Sequence, residues 1–89
     1  MSVYVDDAFI PYKRGMLMSH MIADTSEELD KMAEEVGLSR RWVQHAGSWK
    51  EHYDICKSKR AEAIAKGALP VTQWVLNEVI RMKRKKHWN

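Results

Sequence analysis

The chain has 89 residues, enough for one domain with a small core. Its apolar share of 45% is that of a folded globular protein and excludes wholesale disorder. No apolar run approaches the ~20 residues that span a bilayer, no basic-then-apolar leader opens the N-terminus, and the single cysteine, Cys56, excludes an intrachain disulfide, so a cytoplasmic protein without a membrane partner is expected.

The net charge of +3 hides an asymmetry. Arg81, Lys83, Arg84, Lys85 and Lys86 are five of the fifteen bases and have no acid among them. Ten bases then face twelve acids in residues 1–80, a net charge of −2. A compact body over 1–80 and a basic helix end or tail over 81–89 are expected, the tail being a candidate for contact with nucleic acid or an acidic protein.

Ser2 to Asp6 is β-branched and aromatic and reads as a first strand, with Val3 and Val5 on one face and Tyr4 and Asp6 on the other. Asp7 to Gly15 reads as a loop with a basic tip at Lys13 and Arg14, and Met16 to Ala23 as a buried strand broken in polarity only by Ser19 and His20. Thr25-Ser26-Glu27-Glu28 fits a capping box, after which Leu29, Met32, Ala33 and Val36 keep helical spacing up to Gly37. Leu38 to Gly47 supports two readings: a short turn capped by Ser39 through Arg40 and Arg41, or a strand over Trp42 to His45. A second helix is expected over 58–66 with Ala61, Ile64 and Ala65 inward and Gly67 as its stop. Ala68 to Val71 reads as an edge strand because of Pro70. Thr72 then caps a third helix, whose inner stripe is Leu76, Val79, Ile80 and the stem of Lys83. Trp42 and Trp74 are expected in the core. Trp49, in a polar loop, is a candidate for stacking on a base or closing a pocket, and Trp88 a candidate partner contact. The order implies an α/β domain: a small sheet of three to four short strands covered by about three helices.

Four polar clusters lie against apolar stretches in this pattern, and a domain this small can gather them on one rim. Asp6 ends a strand, where α/β sheets often bind ligands, and with Asp7 it makes a candidate holder for a divalent ion such as magnesium. Ser19 and His20 need partners inside their strand, and His20 is suited to proton transfer near neutral pH. In extended geometry His52 and Asp54 share a face, with Tyr53 opposite. Ser58 opens a helix flanked by Lys57, Lys59 and Arg60, cations that are disfavoured at a positive helix end unless an anion sits between them. Asp6, His20, His52 and Asp54 are therefore the candidate catalytic groups, and Ser19, Tyr53, Lys57, Ser58, Lys59 and Arg60 the candidate ligand-binding groups. A phosphorylated small molecule or a nucleic-acid end is the expected ligand, with phosphoryl or nucleotide hydrolysis as the candidate reaction class. The alternative is a non-enzymatic accessory protein that binds nucleic acid or an acidic protein through Arg81, Lys83, Arg84, Lys85 and Lys86. Leu76, Val79, Ile80 and Trp74 also make the last helix a candidate dimer face.

Val3-Tyr4-Val5-Asp6, Gly15-x-Leu17-x-Ser19-His20-Met21, Asp24, Glu28-Leu29, Gly37, His52-Tyr53-Asp54, Arg60 and Gly67-Ala68-x-Pro70-Val71 form an ordered set over residues 3–71. This set resembles a small uncharacterised family of bacteria and their phages, domain of unknown function 4031. The resemblance implies that the polar clusters form one site, and it fits a phage or mobile-element accessory protein. It brings no known reaction. Some members of the family are joined to a phosphohydrolase-type domain, which links it to nucleotide chemistry by association alone. Met18 stands where the resemblance leads one to expect tryptophan, and the loop through Trp49 is longer than usual.

Overall fold

A computed structural model describes residues 2–87, which form five strands and three helices. Trp88, a candidate partner contact, lies outside the described residues. The strands are β1 (Val3–Val5), β2 (Ile10–Pro11), β3 (Leu17–Ala23), β4 (Tyr53–Cys56) and β5 (Leu69–Pro70). The helices are α1 (Ser26–Glu35), α2 (Lys57–Ala65) and α3 (Gln73–His87). The fold is a small α/β domain on a mixed sheet.

β3 is the axis of the sheet. It pairs antiparallel with β1, β2 and β4, while β5 runs parallel to β1 at the margin. Met21 is opposite both Val5 and Tyr53, and Met18 is opposite both Ile10 and Cys56. β1 and β2 therefore follow one another along one side of β3, with β4 on the other side. Residues 7 and 8 loop out between them, and Phe9 takes a positive φ of 44° on re-entering.

Strand alternation sorts the side chains into two faces. Val3, Val5, Met21, Ala23, Tyr53 and Ile55 point to one face, where they join Leu29, Met32, Ala33 and Val36 of α1 and its end, Ala63 of α2, and Ala68. Asp6, Met18, His20, Ile22, Asp54 and Cys56 occupy the other.

Local signals in the chain account for most of the boundaries. The Thr25 hydroxyl accepts from the Glu28 N–H at 3.2 Å and donates to the Glu28 carboxylate at 2.8 Å. The box thus closes through the hydroxyl rather than the Thr25 N–H. Gly37, at φ 77°, lets Leu38 N–H return to the Ala33 carbonyl. Both readings of residues 38–47 hold in part: Arg40–Trp42 is a 3-10 turn capped by Ser39, and Gln44 forms a single bridge with His52. The strand itself lies later, at Tyr53–Cys56, and runs directly into α2.

Two packing expectations are corrected. α2 buries Ala63 and half-buries Arg60 and Ile64, so Ala61 and Ala65 face solvent. Turning Arg60 inward sets this phase. Trp42 and Trp74 are 60% and 72% exposed rather than core residues. Trp74 is two positions before Leu76, hence on the opposite side of α3 from the Leu76–Ile80–Lys83 stripe, and Val43 takes the inward position beside Trp42. Among the described residues, no helix is long and apolar enough to cross a membrane.

Ile55→Ala is expected to lower unfolding stability by about 2–5 kcal/mol. Trp74→Ala should change it by less than about 0.5 kcal/mol. Urea unfolding of both variants checks this division between core and surface.

Candidate functional site

Asp6 is placed where β1 ends. With residues 7 and 8 looped out, the β1–β3 ladder continues on one side only: Asp6 N–H donates to the His20 carbonyl at 3.0 Å. The return bond is made by the side chain, as His20 N–H donates to Asp6 Oδ1 at 2.8 Å. Ala8 N–H donates to the same oxygen at 3.2 Å. The freed Asp6 carbonyl accepts from Arg60 Nε at 2.7 Å.

The second carboxylate oxygen, Oδ2, is 2.7 Å from His20 Nδ1. Asp6 is fully buried and His20 only partly so. A carboxylate accepts, so Nδ1 carries the proton and Nε2 is turned toward the open face. Burial pushes the Asp6 pKa up, but the His20 ring, the His20 N–H and the Ala8 N–H outweigh it and hold the carboxyl below its ordinary value. The bond to Asp6 raises the His20 pKa against the opposing effect of burial, with the charges of Asp6 and Asp54 adding to the rise.

Asp54 lies directly across from His20 on β4. Its Oδ1 is 3.8 Å from His20 Nε2 and 3.6 Å from His52 Nε2. Gln44 Nε2 donates to its Oδ2 at 2.6 Å. His52 Nδ1 is 2.8 Å from the Lys50 carbonyl, which can only accept. The neutral His52 ring therefore carries its proton on Nδ1 and a lone pair on Nε2. The His52 ring lies edge-on to His20 at 5.8 Å and stacked with His45 at 5.9 Å. Asp6, His20, Asp54 and His52 thus form one continuous row across three strands.

Asp6, His20 and His52 of this row floor a cleft of about 290 Å³ between the 43–52 loop and α3. His45, Trp49 and Lys50 form one wall, and Gln73, Leu76, Asn77 and Ile80 the other. Glu51, fully buried, holds the loop: it accepts from Ser26 Oγ at 2.7 Å and from Gly47 N–H at 2.9 Å. Asp7 Oδ1 accepts from Gln73 N–H at 2.8 Å and anchors the start of α3. The Asp6 and Asp7 carboxylates therefore serve separate partners and form no joint magnesium seat. Among the described residues, no three metal-donor side chains converge.

The other candidate residues fall elsewhere. Ser19 is buried on the core side, where its hydroxyl accepts from Phe9 N–H at 3.3 Å. Tyr53 is also on the core side, fully buried, with its hydroxyl beside Arg40. The helix start at α2 assembles no anion seat. Lys59 Nζ donates to the Val36 carbonyl at 2.6 Å, and Arg60 is committed to Asp6 and stacked on Phe9 at 4.9 Å. Ser58 Oγ is 3.2 Å from Cys56 Sγ, and Lys57 is exposed. The Ser58 hydroxyl, followed by the Lys59 N–H, lowers the Cys56 thiol pKa, an activation that neighbouring residue types alone did not reveal. In the basic run, Lys83 is turned inward toward Glu51 and Asp24, and burial lowers its pKa against their charges. Arg81, Arg84, Lys85 and Lys86 are exposed. Asp24 accepts from Ser2 N–H and the Tyr4 hydroxyl, away from His20.

Sequence reasoning missed Gln44, His45 and Glu51. The one usable signal was a lone acid, Glu51, in a Gly-Ser-Trp-Lys loop without another carboxylate.

No curated protein and no solved structure matches this chain. A family model matches residues 3–86, nearly the whole length. The chain therefore belongs to the family described as "Protein of unknown function (DUF4031)".

Proposed function

We propose that the cleft binds a phosphorylated small molecule of the nucleotide class, with His20 as the proton-carrying group at the phosphate. The observation that supports this most is the buried Asp6 carboxylate on His20 Nδ1 at 2.7 Å. It favours the imidazolium and leaves Nε2–H outside the Asp6 bond, as a donor to a phosphate oxygen in the cleft that His20 lines. His45 and Lys50 line the same space and add donors without a glycine-rich loop, and His52 presents its Nε2 lone pair there. Hydrolysis is the reaction class that suits the pair of imidazoles. His20 gives its proton to the leaving oxygen, and His52 Nε2 takes one from the attacking water.

A second reading rests on α3, where Arg81, Arg84, Lys85 and Lys86 are exposed in its last turns. Such a face suits nucleic-acid phosphates, and its affinity falls steeply with salt. Binding that survives Lys85→Glu with Lys86→Glu, and varies little with salt, favours the cleft.

The first reading is tested by following histidine ring resonances while inorganic phosphate or a nucleoside monophosphate is titrated in. His20, His45 and His52 signals should move together, and His20→Ala should weaken binding roughly tenfold, the order of one charge-assisted hydrogen bond. Histidine signals that stay fixed at millimolar ligand would remove the proposal.

The pair also sets a pH dependence of stability. The folded His20 pKa is raised, so its contribution is complete below about pH 6.5 and fades as pH rises through the folded value. The folded Asp6 pKa is lowered, so its contribution is complete above about pH 4 and is lost as pH falls through the folded value. The stability advantage of the wild type over Asp6→Asn should peak between those limits and narrow on either side. Urea midpoints across pH measure it, and a flat difference would show that the two groups are not coupled.

A further inference from the structure

A second cavity opens on the same face of the sheet, and His20 lines it as well as the cleft, with Asp54 beside His20 on the side of the second cavity. It is a groove of about 710 Å³, in the size range of small-molecule sites. Its walls are apolar: Ile10, Tyr12 and Met16 on one side, Met18 on the floor, Leu38 and Trp42 on the other. Ile10, Tyr12, Met16 and Trp42 are exposed although large and apolar, and they converge here from two distant stretches of chain. Exposed apolar side chains gathered in this way mark a binding surface.

The two cavities lie end to end along β3. Ile22 lines the cleft, Met18 lines the groove, and His20 between them lines both. The distance from Ile22 to Met18 along the strand is about 13 Å. This is the length of a nucleoside phosphate rather than of a simple phosphate. The inner end of the groove is polar, with Gln44 donating to Asp54 and Asp54 facing His20 Nε2. A lipid chain would take the exposed Asp54 carboxylate out of water without offering it a further partner, at a cost. A planar ring with a hydrogen-bonding edge meets them and fills the aromatic part of the groove. Arg41 lies over the Trp42 ring at 4.8 Å and adds a cation at the rim.

We infer that the groove is the nucleobase subsite of the same ligand: the base seats against Met18, Tyr12 and Trp42, the sugar passes Asp54, and the phosphate lies in the cleft among His20, His45, His52 and Lys50. This rests on the reading of the cleft as a phosphate site.

Titration calorimetry of the full chain with ribose 5-phosphate and with the four common nucleoside monophosphates separates the two claims. At least one nucleotide should bind roughly tenfold or more tightly than ribose 5-phosphate, the order of one base stacked on an aromatic ring. Trp42→Ala and Tyr12→Ala, both at exposed positions, should abolish that gain and leave ribose 5-phosphate affinity unchanged. Equal affinity for ribose 5-phosphate and all four nucleotides overturns the base subsite while the phosphate cleft stands. Binding of neither class overturns both. Self-association of the chain that Trp42→Ala removes would mean that a second copy covers the groove, and would overturn the subsite as well.

Discussion

The Asp6 carboxylate is the constraint on which this molecule depends. A buried carboxylate is costly unless every lone pair is met, and here two backbone N–H groups and an imidazole meet it. It takes over a ladder bond that the break after β1 would leave unmade, and in doing so fixes the register of His20. The same break turns the Asp6 carbonyl toward Arg60 on α2. One residue therefore joins the sheet, the second helix and the proton-carrying histidine.

The sheet separates an apolar core from a polar row by its two faces. The face under α1 and α2 is closed and apolar, as a small domain requires. The opposite face holds the polar row and is only partly covered. α3 reaches it through Leu76 and Ile80, is anchored at its start by Asp7, and carries the inward Lys83 near Glu51 and Asp24. A helix held in this way bridges the polar row without filling the space above it, which is why a cleft exists in so short a chain.

Charged residues that look like ligand holders are used largely as fasteners. Lys59 closes the end of α1, Arg60 holds the β1 terminus, and Lys83 fills the inner stripe of α3. The donors left at the cleft are mostly imidazoles. The charge on His20 follows from the geometry of Asp6 and Asp54 rather than from the net charge of the chain.

Local chemistry made much of the architecture legible in the amino-acid order alone. Alternation set the faces of β1 and β3, the Thr25–Glu28 box and Gly37 bounded α1, and Thr72 with Leu76, Val79, Ile80 and Lys83 described α3. These are contacts within a few residues, which composition and spacing determine directly. The same order marked Asp6, His20, His52 and Asp54 as polar groups in apolar settings, which need partners wherever they are buried. Their convergence came from tertiary structure, because strand register joins residues 6, 20 and 54 across gaps that no local pattern spans. It also decided the phase of α2, where turning Arg60 inward exposes Ala61 and Ala65, and the outward positions of Trp42 and Trp74. The 43–52 loop was the least legible part, since its shape rests on Glu51 bonding to Ser26 and Gly47, and a lone acid in a sequence does not say which distant hydroxyl or amide it will meet.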